Sequence, residues 1–336
     1  NIEFRSVKNK IVQIPIPQLI SEIKIFEMGI DGNLNRKNEN CEICGLTNKI
    51  PNAFPKYQSI CKFCAINKTE SQEIESKLDL KSILQNKRVV VGFSGGRDSS
   101  FGLLKLSSIP GIELIAVSYD WGGITDLGRR NQSRVCGALG VEHVWISANL
   151  EKKRGNVRKN LIAWCRKPSL ITIPLLMAGD KAMWRYPHII AKKRQADYVV
   201  YCTNPLERTD FKVSLAGINN SYVSNKPHHI GFLNRMQLLY KYLIELLKNP
   251  KFINSSLIDS ILAFKYFFFD GLKYIQYYDY DVWNEDEVDK QIKFNFDWEF
   301  KQDRASSWRI GDATTPFYNL VYLSVLGFTE FNTLIR

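Results

Sequence analysis

The sequence predicts a doubly wound α/β fold: a parallel sheet with helices on both faces. A small zinc ribbon precedes it and a helical, aromatic-rich C-terminal region follows. Three observations carry this expectation. Between Arg88 and Cys202, short apolar and β-branched runs alternate with helical stretches, the pattern of βαβ units. Ahead of them, four cysteines fall into two C-x-x-C pairs. Beyond Gly217 the strand alternation stops and helical, aromatic sequence takes over.

Taken in order, residues 1–40 read as an N-terminal extension. The run Ile11-Val12-Gln13-Ile14-Pro15-Ile16-Pro17 is extended in character, and 33–40 is a polar linker. Residues 41–70 form the zinc ribbon. A charged segment then leads to Lys87, with a helix expected over 71–84. The α/β domain spans 85–216. Its strands are expected at 88–93, 112–118, 143–147 and 198–202, with helices at 99–106 and 126–139 and a long helical region before the fourth strand. The C-terminal region, 217–336, is mostly helical. Asn284-x-x-Glu287 is a capping pair opening one late helix, and 306–319 is placed as a lid folding back over the cleft.

The composition fits a globular protein. Of 336 residues, 45% are hydrophobic and 24% charged, which excludes disordered and low-complexity classes. No uncharged apolar run approaches the roughly 18 residues of a membrane helix, and the N-terminus lacks a signal-peptide pattern. A soluble, cytoplasmic protein with no membrane insertion is therefore expected. The 46 Lys and Arg against 34 Asp and Glu give a net charge of +12, which suits anionic partners such as nucleotides, phosphosugars or nucleic acid. That charge is spread along the chain. Its densest runs, Lys152-Lys153-Arg154 and Lys192-Lys193-Arg194, read as solvated helix faces.

Four of the seven cysteines, Cys41, Cys44, Cys61 and Cys64, have the spacing C-x2-C-x16-C-x2-C. Each C-x-x-C turn aims two thiolates at one point, and two such knuckles complete a tetrahedron, so a structural zinc ion is expected. The competing reading is a redox dithiol pair. Of the rest, Cys136 and Cys165 sit in apolar helical stretches, as buried thiols do. Cys202 lies nearer the expected cleft.

The chemistry begins where the first strand ends, at Phe93-Ser94-Gly95-Gly96-Arg97-Asp98-Ser99. Two adjacent glycines let the backbone curl with its N–H groups inward, and the following helix N-terminus completes a phosphate cradle. Ser94 and Ser99 add hydroxyls and Arg97 a positive charge. Asp98 caps the helix or helps hold a magnesium ion. The loop matches neither G-x-x-x-x-G-K-[ST] nor G-x-G-x-x-G. A glycine turn without a ligand is the plain alternative. Three further segments stand out: Tyr119-Asp120-Trp121 at the end of the second strand, Gly179-Asp180-Lys181, and the polar stretch Cys202-Thr203-Asn204-Pro205-Leu206-Glu207-Arg208-Thr209-Asp210-Phe211-Lys212 leaving the fourth strand. Ligands of open parallel sheets bind at that edge.

The Ser94–Ser99 loop resembles the SGGxDS pyrophosphate loop of the N-type ATP pyrophosphatases, the PP-loop superfamily with an adenine nucleotide alpha hydrolase-like fold. The resemblance implies ATP with Mg2+, AMP transfer to a substrate oxygen and release of pyrophosphate. It places Phe93, Ser94, Gly95, Gly96, Arg97, Asp98, Ser99, Tyr119, Asp120 and Thr203 at the nucleotide.

The cysteine knuckles, this loop, Gly179-Asp180-Lys181, Asn204-Pro205-Leu206-Glu207, Ser307-Trp308-Arg309-Ile310-Gly311-Asp312 and Pro316-Phe317-Tyr318-Asn319 together resemble one branch. That branch is the N-acetyl sugar amidotransferases (WbpG-type) of bacterial surface-polysaccharide (lipopolysaccharide O-antigen) synthesis. The similarity runs in order from Cys41 to Arg336, with Arg97 a departure at a position where relatives often carry a smaller or uncharged residue. It implies that an acetamido oxygen is adenylated and then replaced by ammonia to leave an acetamidino sugar. Asp98, Lys181, Asp210 and Lys212 would be catalytic. Asn204, Glu207, Arg208 and Arg309 would bind an N-acetylated, nucleotide-linked sugar. Lys181, Arg208, Lys212 and Arg309 are candidates to clamp phosphates, and Asp210 or Glu207 to act as acid or base.

No Gly-x-Cys-x-Gly elbow with a usable histidine is present, and His143, His188, His228 and His229 are scattered. Ammonia is therefore expected from a separate glutaminase subunit, and no nucleic acid partner is expected. The main rival is a tRNA-modifying PP-loop enzyme, thiolase or lysidine-type. A thiolase needs reactive cysteines or an iron–sulfur cluster beside the loop. A zinc-ribbon nucleic-acid binder with a degenerate nucleotide domain is a second rival.

Overall fold

The computed structural model describes residues 2–5, 11–14, 40–43, 45–46, 54, 59–61, 64, 79–177, 180–204, 215–218, 231–269, 274–300 and 310–326. Near the N-terminus, β1 (Ile2–Arg5) and β2 (Ile11–Ile14) pair antiparallel. The central element is a five-stranded sheet of β3 (Arg88–Gly92), β4 (Glu113–Asp120), β5 (Glu142–Ser147), β6 (Tyr198–Tyr201) and β7 (Tyr274–Gln276). Its order is β5-β4-β3-β6-β7, and every pair is parallel.

A parallel sheet covered on both faces needs strands that are apolar on both sides, and the Val89-Val90-Val91 run of β3 supplies this. Val89 and Val91 join a core on one face with Phe101, Leu103, Leu106, Val135 and Val288. Val90 joins the opposite core with Ile115, Val117, Ala191 and Val199. The helices that close the first face are α2 (Arg97–Ser107) and α3 (Asp126–Leu139), following the short α1 (Leu80–Leu84). Helix α4 (Leu150–Arg166) packs in a third cluster through Ala163 and Trp164, and α5 (Arg185–Lys193) covers the second face. Side chains start α1, α3 and α4 as physical chemistry prescribes: Asp79, Thr125 and Asn149 each accept a first-turn N–H. Gly140, at φ 62°, ends α3 in the left-handed conformation.

Past residue 217 come α6 (Phe232–Lys248), α7 (Ser255–Phe269), α8 (Glu285–Phe296) and α9 (Thr314–Leu326). Asn284 caps α8 by accepting the Glu287 N–H at 3.0 Å, as its spacing predicts. Two features depart from expectation. First, the C-terminal region contributes a strand: β7 pairs with β6 in the register Val199↔Tyr274. Three residues amid aromatics are too few to show an alternation. Second, the helical stretch before β6 is broken into 3₁₀ turns at Leu170–Leu175 and Asp180–Trp184. Pro174 inside the first cannot donate to an α-helical ladder. Of the helix expected over 71–84, Leu80–Leu84 is present and 71–78 lies outside the described residues. Among the described residues no helix is long and apolar enough to cross a membrane.

The strand order reverses between β3 and β6, which makes the crevice above their C-terminal ends the topological switch point where such sheets bind ligands. The sheet brings α2 close enough to β6 that a Cβ on Gly102 would lie 2.2 Å from the Cys202 sulfur. Gly137, on α3, has open space at that position. Gly102→Ala should therefore destabilise the fold by about 1–3 kcal/mol through overpacking. Gly137→Ala should stabilise it by about 0.5–1 kcal/mol. Thermal denaturation followed by circular dichroism should show the two midpoints moving in opposite directions.

Candidate active site

The loop between β3 and α2 sits at the switch point. Gly95 adopts φ +75°, and a side chain there would also lie 2.2 Å from Gln132 Cγ and 3.2 Å from the Gly128 carbonyl oxygen of α3. Only glycine fits this combination. Gln132 in turn holds the loop, donating to the Ser94 carbonyl at 2.8 Å. Gly96 is the N-cap of α2 and provides no side-chain cap, so the first-turn N–H groups have no capping acceptor from that position. The Ser94 and Ser99 hydroxyls lie 3.0 Å apart beside it. A left-handed glycine, an uncapped helix N-terminus and two hydroxyls fit a phosphate or pyrophosphate group.

Asp98 lies in a network that joins three stretches of chain. Its Oδ2 accepts from Asn204 Nδ2 at 2.9 Å, and its Oδ1 from the Trp283 indole N–H at 2.7 Å. Its carbonyl oxygen accepts from the Tyr278 hydroxyl at 3.1 Å. Asn204 leaves β6, whereas Tyr278 and Trp283 belong to the segment between β7 and α8. The switch point is thereby closed from both sides.

Arg97, expected to lend charge to the phosphates, is buried at 2% exposure and pairs with Glu285 at the start of α8. Its guanidinium also lies 5.4 Å from the Trp283 ring centroid and 3.6 Å from Asp98 Oδ1. Burial opposes its charge, but Asp98 and Glu285 outweigh that and hold its pKa above the ordinary value.

The end of β4 forms the neighbouring wall. Asp120 is buried, accepting the Gly122 N–H at 2.8 Å and Arg129 at 2.8 Å. Tyr119 lies against Tyr186, with ring centroids 4.7 Å apart. Asp98 and Asp120 thus each have both oxygens engaged by the protein. A carboxylate oxygen that accepts one hydrogen bond keeps a lone pair, so Asp98 and Asp120 are held in fixed orientations by these bonds. Beneath the loop, Ser118 donates to the Phe93 carbonyl at 2.6 Å and meets His143 Nε2 at 2.8 Å. Burial lowers the His143 pKa, and the ring packs edge-on against Phe93 and Trp145.

The C-terminal segment closes the same edge. Thr125 N donates to the Gly311 carbonyl and Ala313 N to the Gly123 carbonyl, each at 2.9 Å, and Ile124 bridges Asp312. A Cβ on Gly128 would lie 2.4 Å from the Gly311 oxygen. The described part of the segment expected as a lid, from Ile310 onward, therefore lies against the helix that also supports Gly95.

Thr203 and Asn204 follow β6 as expected. Lys181 is carried on the turn Asp180–Trp184, but its side chain is outside the described set. Glu207, Arg208, Asp210, Lys212 and Arg309 lie outside the described residues. Sequence reasoning missed Gln132, Arg129, Tyr278 and Trp283. The clustering of aromatic with acidic residues at 277–287 was the one available signal for the last two.

The sulfur atoms of Cys41, Cys61 and Cys64 lie within 4.8 Å of one another. The Cys61 N–H donates to Cys41 Sγ at 3.3 Å and the Cys64 N–H to Cys61 Sγ at 3.5 Å. Converging thiols that accept backbone N–H bonds fit a soft metal held by thiolates. Cys44, the expected fourth ligand, lies outside the described residues. These cysteines pack in one cluster with Trp121, Trp164 and Tyr318, so the metal module shares a core with the end of β4.

No family model matches the chain, and no curated protein matches it. Among solved structures it is similar to the U34-tRNA thiolase NcsA from Methanococcus maripaludis with its [4Fe-4S] cluster, at 16% identity and a TM-score of 0.33 over 87% of each chain. It is also similar to a predicted subunit of tRNA methyltransferase from Methanocaldococcus jannaschii, at 12% identity and a TM-score of 0.29, covering 74% of this chain and 93% of that one. The NH3-dependent NAD synthetase from Campylobacter jejuni matches at 14% identity and a TM-score of 0.28, over 60% of this chain and 91% of its own.

Two outcomes follow from this geometry. Gly95→Ala should weaken pyrophosphate binding at least tenfold by calorimetry, and Trp283→Phe, which removes one hydrogen bond to a carboxylate worth about 1.5–3 kcal/mol, should weaken it without unfolding the chain. The purified protein should also carry bound metal by elemental analysis. Cys61→Ser should lose that metal and several degrees of thermal stability.

Proposed function

We propose that this protein is an ATP-dependent, AMP- and pyrophosphate-forming amidotransferase acting on an N-acetylated, nucleotide-linked sugar of surface-polysaccharide synthesis. The observation that supports the ATP-using half of the reading is the glycine cradle at the switch point: Gly95 in the left-handed region, an uncapped α2 N-terminus and paired Ser94 and Ser99 hydroxyls. The sugar half rests on the motif resemblance from Cys41 to Arg336. Donors fixed in place before reaction stabilise charge developing on a leaving pyrophosphate, worth several kcal/mol. ATP supplies the activation, placing AMP on the acetamido oxygen. Ammonia then displaces AMP and leaves an acetamidino group. Ser94, Gly96 and the first turn of α2 would hold the phosphates, while Asp120 and Tyr119 shape the nucleoside wall. Asn204 would orient the entering sugar while bracing Asp98.

In this reading Lys181, Arg208, Lys212 and Arg309 contribute cations, Glu207 and Asp210 a proton acceptor, and a separate glutaminase subunit the ammonia. Zinc is the metal proposed for Cys41, Cys44, Cys61 and Cys64, closed by four protein ligands and therefore structural. Thiol chemistry finds little support near the cleft. Burial, with Asp98 nearby, pushes the Cys202 thiol far up, and burial alone raises Cys136 to about 12. Cys165 is raised the same way. Thiols kept protonated are poor nucleophiles.

The test is a product assay with ATP, magnesium and ammonium chloride, adding in turn nucleotide-linked diacetamido sugars and bulk tRNA. AMP and pyrophosphate formed only with a sugar, together with a product in which one oxygen has become NH, are expected. AMP formed only with tRNA would overturn the sugar reading in favour of tRNA modification.

A further inference from the structure

Gln276 is the last residue of β7, at the carboxyl edge of the sheet. Its side chain is 6% exposed, yet among the described residues neither its amide oxygen nor its amide nitrogen has a hydrogen-bond partner. Nor does it cap the turn that follows. An amide can donate two hydrogen bonds and accept two. Buried polar groups are almost always paired, because an unpaired one has lost its bonds to water for nothing. This side chain has both ends unengaged.

Strand alternation fixes the face on which it lies. Ile275 and Tyr277, its two neighbours, belong to the core that holds Phe101 and Cys202. Gln276 therefore lies on the opposite face with Tyr274, whose ring meets that of Tyr201 edge-on at 6.4 Å. Tyr201 is also its register partner on β6. The other polar groups there satisfy one another. The Tyr201 hydroxyl donates to the Trp184 carbonyl at 3.2 Å, and His188 Nδ1 lies 2.8 Å from the same oxygen. Past the end of β6, Asn204 reaches Asp98. Gln276 thus stands across that strand end from the glycine loop.

Charge selects its partner. The glycine cradle suits phosphate, whereas a neutral buried amide suits a neutral group with a donor and an acceptor of its own. An acetamido sugar offers both, an N–H and neighbouring oxygens. We propose that Gln276 is the specificity residue for the acetamido group, its amide oxygen accepting the acetamido N–H and its amide nitrogen donating to a sugar oxygen beside it. The assignment rests on the amidotransferase reading and names the residue that tells an acetamido sugar from its hydroxyl analogue. A site built around such a bond rejects the analogue that leaves its buried polar atoms unpaired.

Gln276→Met keeps the length of the side chain and removes both polar atoms. With ATP, magnesium and ammonium chloride, its KM for the nucleotide-linked diacetamido sugar should rise at least about tenfold while its KM for ATP stays unchanged. The same sugar nucleotide with hydroxyls in place of the acetamido groups should inhibit parent and variant equally. Without ligand, the thermal midpoint of the variant should hold or rise, because an unpaired buried amide has given way to an apolar group. A sugar KM that does not move overturns the assignment and leaves the amidotransferase reading standing. So does a KM that rises equally for ATP with a lowered midpoint, the mark of a structural amide. A parent protein that forms AMP with tRNA alone overturns both, and that failure shows in the parent before any variant is compared.

Discussion

The carboxylate of Asp98 accepts hydrogen bonds from residues 106 and 185 positions away in sequence, Asn204 and Trp283. A carboxylate at 14% side-chain exposure is costly unless its oxygens are satisfied. The fold meets that demand by bringing the exit of β6 and the approach to α8 onto one residue of α2. Because Asp98 lies two residues past Gly96, whatever fixes its side chain also fixes the first turn of the helix that faces the crevice. Arg97 reinforces the same joint, its buried guanidinium set between Asp98 and Glu285. Removing Glu285 would leave the buried Arg97 guanidinium with one counter-charge fewer, whereas removing Asn204 or Trp283 would cost the Asp98 carboxylate one hydrogen bond.

This joint also explains what the sequence could and could not reveal. The valine run of β3, the paired glycines and the C-x-x-C spacing are local signals, each written within a few consecutive residues: the first two mark a strand and the turn after it, and the third anticipates the convergence of Cys41, Cys61 and Cys64. Asn284 at the head of α8 was legible for the same reason. The role of Arg97 was not. A cation in a phosphate loop reads as a phosphate ligand until Glu285, 188 residues away, is seen to hold it. Strand β7 escaped because three residues carry no period, and its place beside β6 is set by packing of Ile275, Tyr277 and Tyr278 into the main core. Trp283 belongs to the same class of long-range facts.

The metal module shows the same dependence. Cys41, Cys61 and Cys64 share a hydrophobic cluster with Trp121, which directly follows the buried Asp120, and with Tyr318 and Tyr322 of α9. The wall formed by the end of β4 is thus backed by the cysteine knuckles on one side and by the last described helix on the other. Losing the metal would loosen this backing, whereas the Asp98 joint lies in the other cluster with Phe101 and Tyr278.

The bridge between Ile124 and Asp312, with Gly311 pressed onto Gly128, has a temporal consequence. A ribosome releases β3, the glycine loop and α3 well before the strand β7, the tryptophan that braces Asp98 and the residues that seal the edge. Contacts of such long sequence separation form slowly and only once both ends exist. During synthesis the glycine loop therefore waits, unbraced and open to water, while the 185 residues from Asp98 to Trp283 are being made. A nascent chain stopped before Trp283 would carry the glycine loop without the brace that shapes it.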